Sequence, residues 1–424
     1  MRSTRLILAT ALVAVGLPLA ATAQTSSPAR CADGTPVGSR TCSTEAYLLE
    51  VLESRGVEEA MATLESLVAA DEDTRRDAHS YAHAIGIAAY DGSEEVGEVF
   101  ARCTPAHQSG CYHGVIQSYF SHQLARSGGQ LDGRLVNDLC REHRENPDAR
   151  WLLFQCAHGM GHGLVMLADR HLPTSLEGCD LVGDGWEREA CYGGVFMENI
   201  VHATVPEEAV GRPVGGAEHA HHHDHGVTAT AATMREEFPP LREDDPLYPC
   251  NALPDRYGAA CYAMQTSAIL HFNGRNIAAA ARTCGTAPEM FRPICYQSLG
   301  RDISALSGQT HSRAIELCAT APADYQPWCH TGYTKNLIDL TADPDDGFAY
   351  CRLLPDGESK RFCYVAVGEQ IWVLHDGLGQ REALCGASEA AYVDACRAGA
   401  GLIESAAAPA PAGAGRAPAL PGRG

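Results

Sequence analysis

Histidines recur at two fixed positions beside cysteines in the N-terminal half of this chain. The segment CYHG at 111–114 places His113 two residues after a cysteine. The segment CAHGMGH at 156–162 places His158 at the same distance, plus two, and His162 at plus six. Residues four apart lie on one face of a helix, one turn above the other. Two imidazoles so placed can hold one metal ion.

An upstream segment carries the same histidine spacing without a cysteine. DAHSYAH at 77–83 aligns with the other segments when Asp77 takes the cysteine position, which puts His79 at plus two and His83 at plus six. Neighbouring helices of a repeat pack about 10 Å apart, so equivalent positions line up in a row. We therefore predict that the five histidines converge on one concave groove, with Asp77 as a further ligand or as a hydrogen-bond partner that orients an imidazole.

Five imidazoles on one face suit zinc, copper, iron or nickel, and one or two ions could be held. Zinc is the favoured metal, and copper assisted by Met166 or Met197 is the second choice. The segment CYGGVFMEN at 191–199 continues the row, and with His202 it supplies additional candidate ligands. Glu198 is the candidate general base for metal-activated water. A metal carrier and a metalloenzyme both remain open.

A second group of histidines lies in a polar, glycine-containing stretch. We interpret it as a weak and exchangeable metal-capture site, and a compositional accident is the alternative. Its members are His219, His221, His222, His223 and His225.

The C-terminal half serves as an internal control. Its plus-two positions are Ala263, Gln297, Thr331 and Val365, and its plus-six positions are Ser267, Arg301, Lys335 and Glu369. If the geometry of the repeat demanded histidine, both halves would carry it. The histidines are therefore an addition to the scaffold.

The scaffold itself is indicated by the cysteines. The 18 cysteines fall into successive pairs, and the first members of the last five pairs recur at steps of 34, 34, 33 and 34 residues. Earlier steps are 37 and 39 residues. A period in this range is typical of an array of two-helix repeats. We predict an all-α fold, an α-solenoid of repeats of about 34–39 residues.

One unit illustrates the predicted plan. Helix-forming residues 275–284 end in a cysteine, a loop with glycine and proline follows, and a second apolar helical segment begins at Cys295. We call these helices A and B, and a disulfide between them would staple each unit. Connectivity does not follow from sequence alone, but only sequential pairing gives every unit the same staple. The predicted bridges are Cys31–Cys42, Cys103–Cys111, Cys140–Cys156, Cys179–Cys191, Cys250–Cys261, Cys284–Cys295, Cys318–Cys329, Cys351–Cys363 and Cys385–Cys396.

Repeat length and one cysteine pair per unit make the chain similar to secreted, disulfide-stapled helical-repeat proteins of the tetratricopeptide-like kind. The resemblance covers about residues 45–403, without the usual sequence signatures of those repeats. It implies a curved solenoid and no specific chemistry.

The ends of the chain and its composition complete the predicted organisation. We expect a signal peptide at 1–23, a disulfide loop at 24–44, N-terminal repeats at 45–204, a histidine-rich flexible insertion at 205–249, C-terminal repeats at 250–403 and a disordered tail at 404–424. Paired cysteines behind a signal peptide predict export to the periplasm or the extracellular space. No membrane span is expected after removal of the signal.

The charge and the missing motifs exclude several function classes. A net charge of −21 disfavours nucleic acid as a partner. CxxC pairs, a GxSxG elbow, a Walker loop and HExxH do not occur. The leading hypothesis is an exported protein that binds transition-metal ions. The alternatives are a scaffold that binds a protein partner on its concave face, with structural histidines, and a binder of a small organic ligand.

Overall fold

The structure is a computed structural model, and it describes residues 43–126, 133–145, 150–204 and 238–403. These ranges contain α-helices and no β-strand. The helices are α1 (Thr44–Arg55), α2 (Val57–Ala70), α3 (Glu72–Ala89), α4 (Val96–Phe100), α5 (Gly110–Arg126), α6 (Gly133–Leu139), α7 (Arg141–Glu145), α8 (Arg150–Leu167), α9 (Leu172–Asp180), α10 (Gly185–Thr204), α11 (Gly258–Tyr262), α12 (Gln265–Phe272), α13 (Ile277–Cys284), α14 (Arg292–Leu306), α15 (His311–Cys318), α16 (Gln326–Thr341), α17 (Pro344–Leu353), α18 (Glu358–Leu374), α19 (Leu378–Cys385) and α20 (Val393–Gly399).

The helices pack in chain order as an α-solenoid. The B helices α3, α5, α8, α10, α14, α16, α18 and α20 form the main row, and α11 with α12 takes one place in it. The shorter A helices pack against this row from one side, as α9 does against α8 and α10. The prediction of an all-α solenoid is confirmed. The part of the predicted insertion that the structure describes, 238–249, contacts the array, since Asn199 Nδ2 donates to the Pro240 carbonyl at 3.1 Å.

Disulfides join the end of each A segment to the start of its B helix. The described residues contain the eight predicted bridges from Cys103–Cys111 to Cys385–Cys396, between cysteines 8 to 16 residues apart. The predicted Cys31–Cys42 bridge lies outside those residues. Closing a loop of about 15 residues stabilises a fold by roughly 3 kcal/mol in the chain-entropy model. Eight bridges indicate an oxidising, exported environment.

Pairs of glycines bring neighbouring B helices into backbone contact. A Cβ atom on Gly332 of α16 would lie 1.8 Å from the Gln297 carbonyl oxygen of α14. Reciprocally, a Cβ on Gly300 of α14 would lie 1.9 Å from the Cys329 carbonyl oxygen of α16. Both distances are far below van der Waals contact, so only glycine allows this approach. The arrangement recurs at Gly86 and Gly114, at Gly161 and Gly194, and at Gly368 and Gly399.

The N-terminal repeats contact the C-terminal repeats at two places. The backbone N–H of Gln108 donates to the Asp339 carbonyl at 3.0 Å, where the loop before α5 touches the end of α16. The Arg150 guanidinium, at the start of α8, lies 4.4 Å from the Trp186 ring and 5.0 Å from the Trp372 ring of α18. Contacts between α8 and α18 therefore join the two halves of the array.

No helix in the described ranges combines the length and the apolar character that crossing a membrane requires.

We predict that Gly332→Ala destabilises the fold strongly. The added methyl group clashes with the backbone of α14, and overpacking of this kind costs typically about 1–3 kcal/mol. The thermal unfolding midpoint should fall by several degrees. Gly97→Ala is the matched control, because a Cβ at Gly97 has no neighbour within 4 Å and alanine favours helix. Equal midpoints for the two variants would contradict the backbone-contact account.

Candidate metal centre

Three B helices carry the five predicted histidines and are held close by the glycine contacts. The Gly114 position of α5 faces the His83 carbonyl of α3, since a Cβ there would lie 2.1 Å from that oxygen. Between α5 and α8, a Cβ on Gly159 would lie 3.3 Å from the His113 carbonyl oxygen. Side chains one turn apart on each helix therefore meet side chains of the next helix.

The structure corrects the alignment of α3 by one helical turn. His83 faces Gly114 as His158 faces Gly194 in the next pair of helices. His83 is therefore the true plus-two residue of α3, and the cysteine position belongs to Tyr81 rather than to Asp77. The sequence alignment was wrong here because α3 has no cysteine to mark its start. The two histidines of α3 still share one helix face, because the shift is a whole turn.

The five imidazoles form a closed ring of contacts. Around this ring the distances between ring centroids are 5.6 Å for His79–His113, 4.6 Å for His113–His158, 5.1 Å for His158–His162, 5.1 Å for His162–His83 and 6.2 Å for His83–His79. A further contact of 5.4 Å crosses the ring between His113 and His162. The structure thus brings the five histidines together as one group, which we call the histidine cluster.

Four nitrogens of the histidine cluster are buried and have no hydrogen-bond partner. They are Nε2 of His83, Nδ1 of His113, Nε2 of His158 and Nε2 of His162. A buried polar atom without a partner costs about 1–3 kcal/mol, so a structural role alone does not account for four of them together. A metal ion would convert these lone pairs into bonds.

The opposite nitrogens of two of these rings are held by side chains. Gln155 Oε1 accepts from His113 Nε2 at 2.6 Å, which leaves the Nδ1 lone pair of His113 free. Glu198 Oε2 accepts from His162 Nδ1 at 2.5 Å, which leaves Nε2 free. The other carboxylate oxygen of Glu198 is 2.7 Å from His202 Nε2. Metal-binding histidines almost always have their second nitrogen held in this way.

Two further rings, those of His158 and His79, are held by backbone carbonyls. His158 hydrogen bonds to the backbone of Ala190, and because its Nε2 has no partner this bond uses Nδ1. His79 Nδ1 donates to the His107 carbonyl at 2.9 Å. The orientations of four of the five rings are thus set by groups outside the histidine cluster.

Two sets of ligand atoms are close enough to share an ion. One ligand atom from each of His113, His158 and His162 lies within 4.8 Å of the others, and all three residues are buried. The second set is His83, His162 and Glu198, and it shares His162 with the first. Nitrogens bound to one tetrahedral zinc ion lie about 3.4 Å apart, so side-chain shifts of about 1 Å would close the first set on an ion.

Burial disfavours the charged form of four of the five imidazoles. It lowers the pKa of His79 to about 4 and of His83 to about 3. Burial also lowers the pKa of His113 and of His158 well below the usual value. Neutral imidazole is the form that binds metals, so binding competes little with protons near neutral pH.

Glu198 is ionised although it is buried. Burial raises the pKa of its carboxyl group, but the hydrogen bonds from His162 and His202 outweigh this and hold the pKa well below its usual range. The histidine cluster therefore has one carboxylate in direct contact with it.

Other predicted site residues lie apart from the three-histidine set. Asp77 is exposed and belongs to neither set of ligand atoms. Met197 is half-buried, Met166 is 45% exposed and contacts the Gln117 amide, and His202 reaches the histidine cluster only through Glu198. The histidines from His219 to His225 lie outside the described residues.

Sequence reasoning missed the groups that orient the rings. Gln155 is 42 residues from His113 in sequence, and the carbonyls of His107 and Ala190 have no side-chain signature. Only the position of Gln155, directly before Cys156, could have drawn attention to it.

The C-terminal half fills the same helix positions with ion pairs. Arg301 Nη2 lies 2.8 Å from the carboxylate of the adjacent Asp302, and Lys335 Nζ lies 2.6 Å from Glu369. Each of these plus-six side chains therefore has an oppositely charged partner. The cluster of unpartnered imidazole nitrogens belongs to the histidine-bearing half.

Compared with known proteins, the chain matches no family model, no curated protein and no solved structure.

We predict that the chelator-treated, metal-free protein loses stability as the pH falls from about 6.5 to 4. Unfolded histidine binds a proton below about 6.5, whereas burial holds the folded pKa of His79 and of His330 at about 4 and that of His83 at about 3. The unfolded state therefore binds more protons, and the free energy of unfolding falls by at least about 1.4 kcal/mol per pH unit.

One buried carboxyl group opposes this trend. Burial raises the pKa of Asp339 to about 6, so its contribution to stability is present at low pH and is lost as the pH rises through about 6. One proton is outweighed by the several histidines. Urea unfolding midpoints at successive pH values measure the sum, and midpoints that stay constant or rise between pH 6.5 and 4.5 would contradict it.

Proposed function

We propose that this protein is an exported metal-binding protein that holds one transition-metal ion through His113, His158 and His162. The supporting observation is that one ligand atom from each of these three buried histidines lies within 4.8 Å of the others. Each of the three rings also has one buried nitrogen without a hydrogen-bond partner. One ion is assigned because both candidate sets depend on His162, whose Nδ1 is already engaged by Glu198.

Zinc is the favoured metal and copper or iron the alternatives. Three neutral imidazoles suit each of these ions. Zinc has no redox chemistry, which fits an oxidising compartment. The cysteines in the described residues are all in disulfides, so no thiolate there competes for the ion.

A three-histidine set leaves a coordination position open, as in catalytic zinc sites. Glu198 is better suited to orient His162 than to act as a general base, because both of its oxygens are engaged by histidines. We therefore assign Glu198 a positioning role. A metal carrier and a metalloenzyme would differ in the ligand or substrate that binds at this open coordination position.

The protein-interaction scaffold is less well supported. It requires structural histidines, and a bound ligand explains the four buried nitrogens without hydrogen-bond partners better than a structural role does.

The first test is metal content. The protein should be exported into an oxidising compartment and purified without a histidine tag, in a background with the five loop histidines changed to serine. We expect about one ion per chain by elemental analysis, loss of that ion in His158→Phe, and retention in the control His271→Phe, which changes an exposed histidine. A background protein that is metal-free and takes up neither zinc nor copper at micromolar concentration would refute the proposal.

The same variant separates a ligand from a structural histidine. Phenylalanine keeps a ring and removes the unpartnered Nε2 of His158 together with the hydrogen bond from Nδ1 to the Ala190 backbone. Because these two effects oppose each other, the metal-free His158→Phe protein should differ from the metal-free parent by no more than about 1.5 kcal/mol. Only the parent should gain stability when metal is added. A variant that is strongly destabilised without metal, and a parent indifferent to metal, would favour a structural role.

Removal of the orienting charge should weaken metal binding. Glu198→Gln keeps the shape and removes the charge, and loss of such a partner typically reduces metal affinity 10–100-fold. Competition with a chromogenic chelator measures the change. Glu382→Gln, at a half-exposed carboxylate paired with Arg397 in the C-terminal half, is the matched control, and an equal effect of both variants would count against a positioning role for Glu198.

A further inference from the structure

The charges around the proposed site do not balance when a divalent ion is bound. Within the two sets of ligand atoms, the one carboxylate is that of Glu198. Neutral imidazoles contribute no charge, so a divalent ion and one carboxylate leave a net charge of about +1. An unbalanced charge in a buried site is costly. One further negative charge would remove this cost.

A group that can bind such a charge lies beside the proposed ligands. The three proposed ligands come from α5 and α8, and His83 approaches from α3, with its ring 5.1 Å from that of His162. Nε2 of His83 is buried and has no partner. It also lies outside the three-ligand set, so the proposed ion leaves it unsatisfied. A neutral imidazole can carry its proton on either nitrogen, so this Nε2 can donate a hydrogen bond.

We propose that the fourth coordination position binds a small monovalent anion, held between the metal ion and His83 Nε2. This inference rests on the proposed metal site. Hydroxide and small inorganic monoanions share the required chemistry, which is one negative charge and a lone pair for the metal. When the source is water, its O–H bond breaks, the oxygen keeps the electron pair and the proton leaves to solvent. The product is a metal hydroxide, the nucleophile of zinc-dependent hydrolysis and hydration.

The test uses the cobalt(II)-loaded protein in the background without loop histidines, and azide as the probe. Cobalt(II) replaces zinc in nitrogen sites and reports its coordination through visible absorption bands. Titration with azide at constant ionic strength, in a chloride-free sulfate buffer, should shift these bands with saturation at one azide per cobalt.

Variants locate the anion. His83→Phe should keep one cobalt per chain and weaken azide binding about tenfold or more, because the hydrogen bond to the anion is lost. Glu198→Gln, measured at saturating cobalt, should bind azide more tightly because the net charge at the site rises. His271→Phe should behave as the parent protein.

The outcomes separate the two proposals. Absence of cobalt bands would overturn the metal site and the anion site together. Cobalt bands that azide leaves unchanged would overturn the anion site alone. Loss of cobalt in His83→Phe would make His83 a ligand and overturn its assigned place, as would azide binding that is unchanged in that variant.

Discussion

Backbone contact between neighbouring B helices is the constraint on which the structure depends. At the Gly86/Gly114 and Gly161/Gly194 pairs an added Cβ would lie 2.0–2.2 Å from a carbonyl oxygen of the facing helix. Helices this close bring side chains on adjacent faces into mutual contact. The contact between the rings of His79 and His113 follows from this approach. Between α5 and α8, glycines at 159 and 163 leave room for the α5 side chains to pack closely. A repeat of ordinary spacing would leave the same histidines as separate side chains on a groove wall.

This closeness has an electrostatic consequence that the two halves resolve differently. In the C-terminal half the facing positions carry opposite charges, as in the pair Lys335 and Glu369. In the N-terminal half they carry imidazoles, four of whose nitrogens are buried without a hydrogen-bond partner. Without a ligand such an arrangement is a cost to folding. A bound cation turns it into a gain, so the chemistry of the site and the stability of that half are linked.

The disulfides and the contacts between the two halves stabilise the fold and so offset the cost of the unpartnered imidazole nitrogens. Each disulfide links a B helix to the preceding A segment through cysteines that are not part of the histidine cluster. The backbone bond from Gln108 to Asp339 ties the loop before α5 to the C-terminal half. His107, the residue before it, supplies the carbonyl that orients His79. The C-terminal repeats thus support the histidine cluster without contributing a ligand.

The sequence by itself determined the repeat, the local disulfides and the helix faces on which the histidines lie. Cysteine spacing and the period of four residues are local properties, and a helix converts them directly into geometry. Tertiary structure decided the rest. The register of α3 depended on a backbone contact with α5, because Tyr81 stands where other repeats have a cysteine. The roles of Gln155 and Glu198 depended on contacts across 42 and 36 residues, because long-range packing chooses the partner of a buried nitrogen.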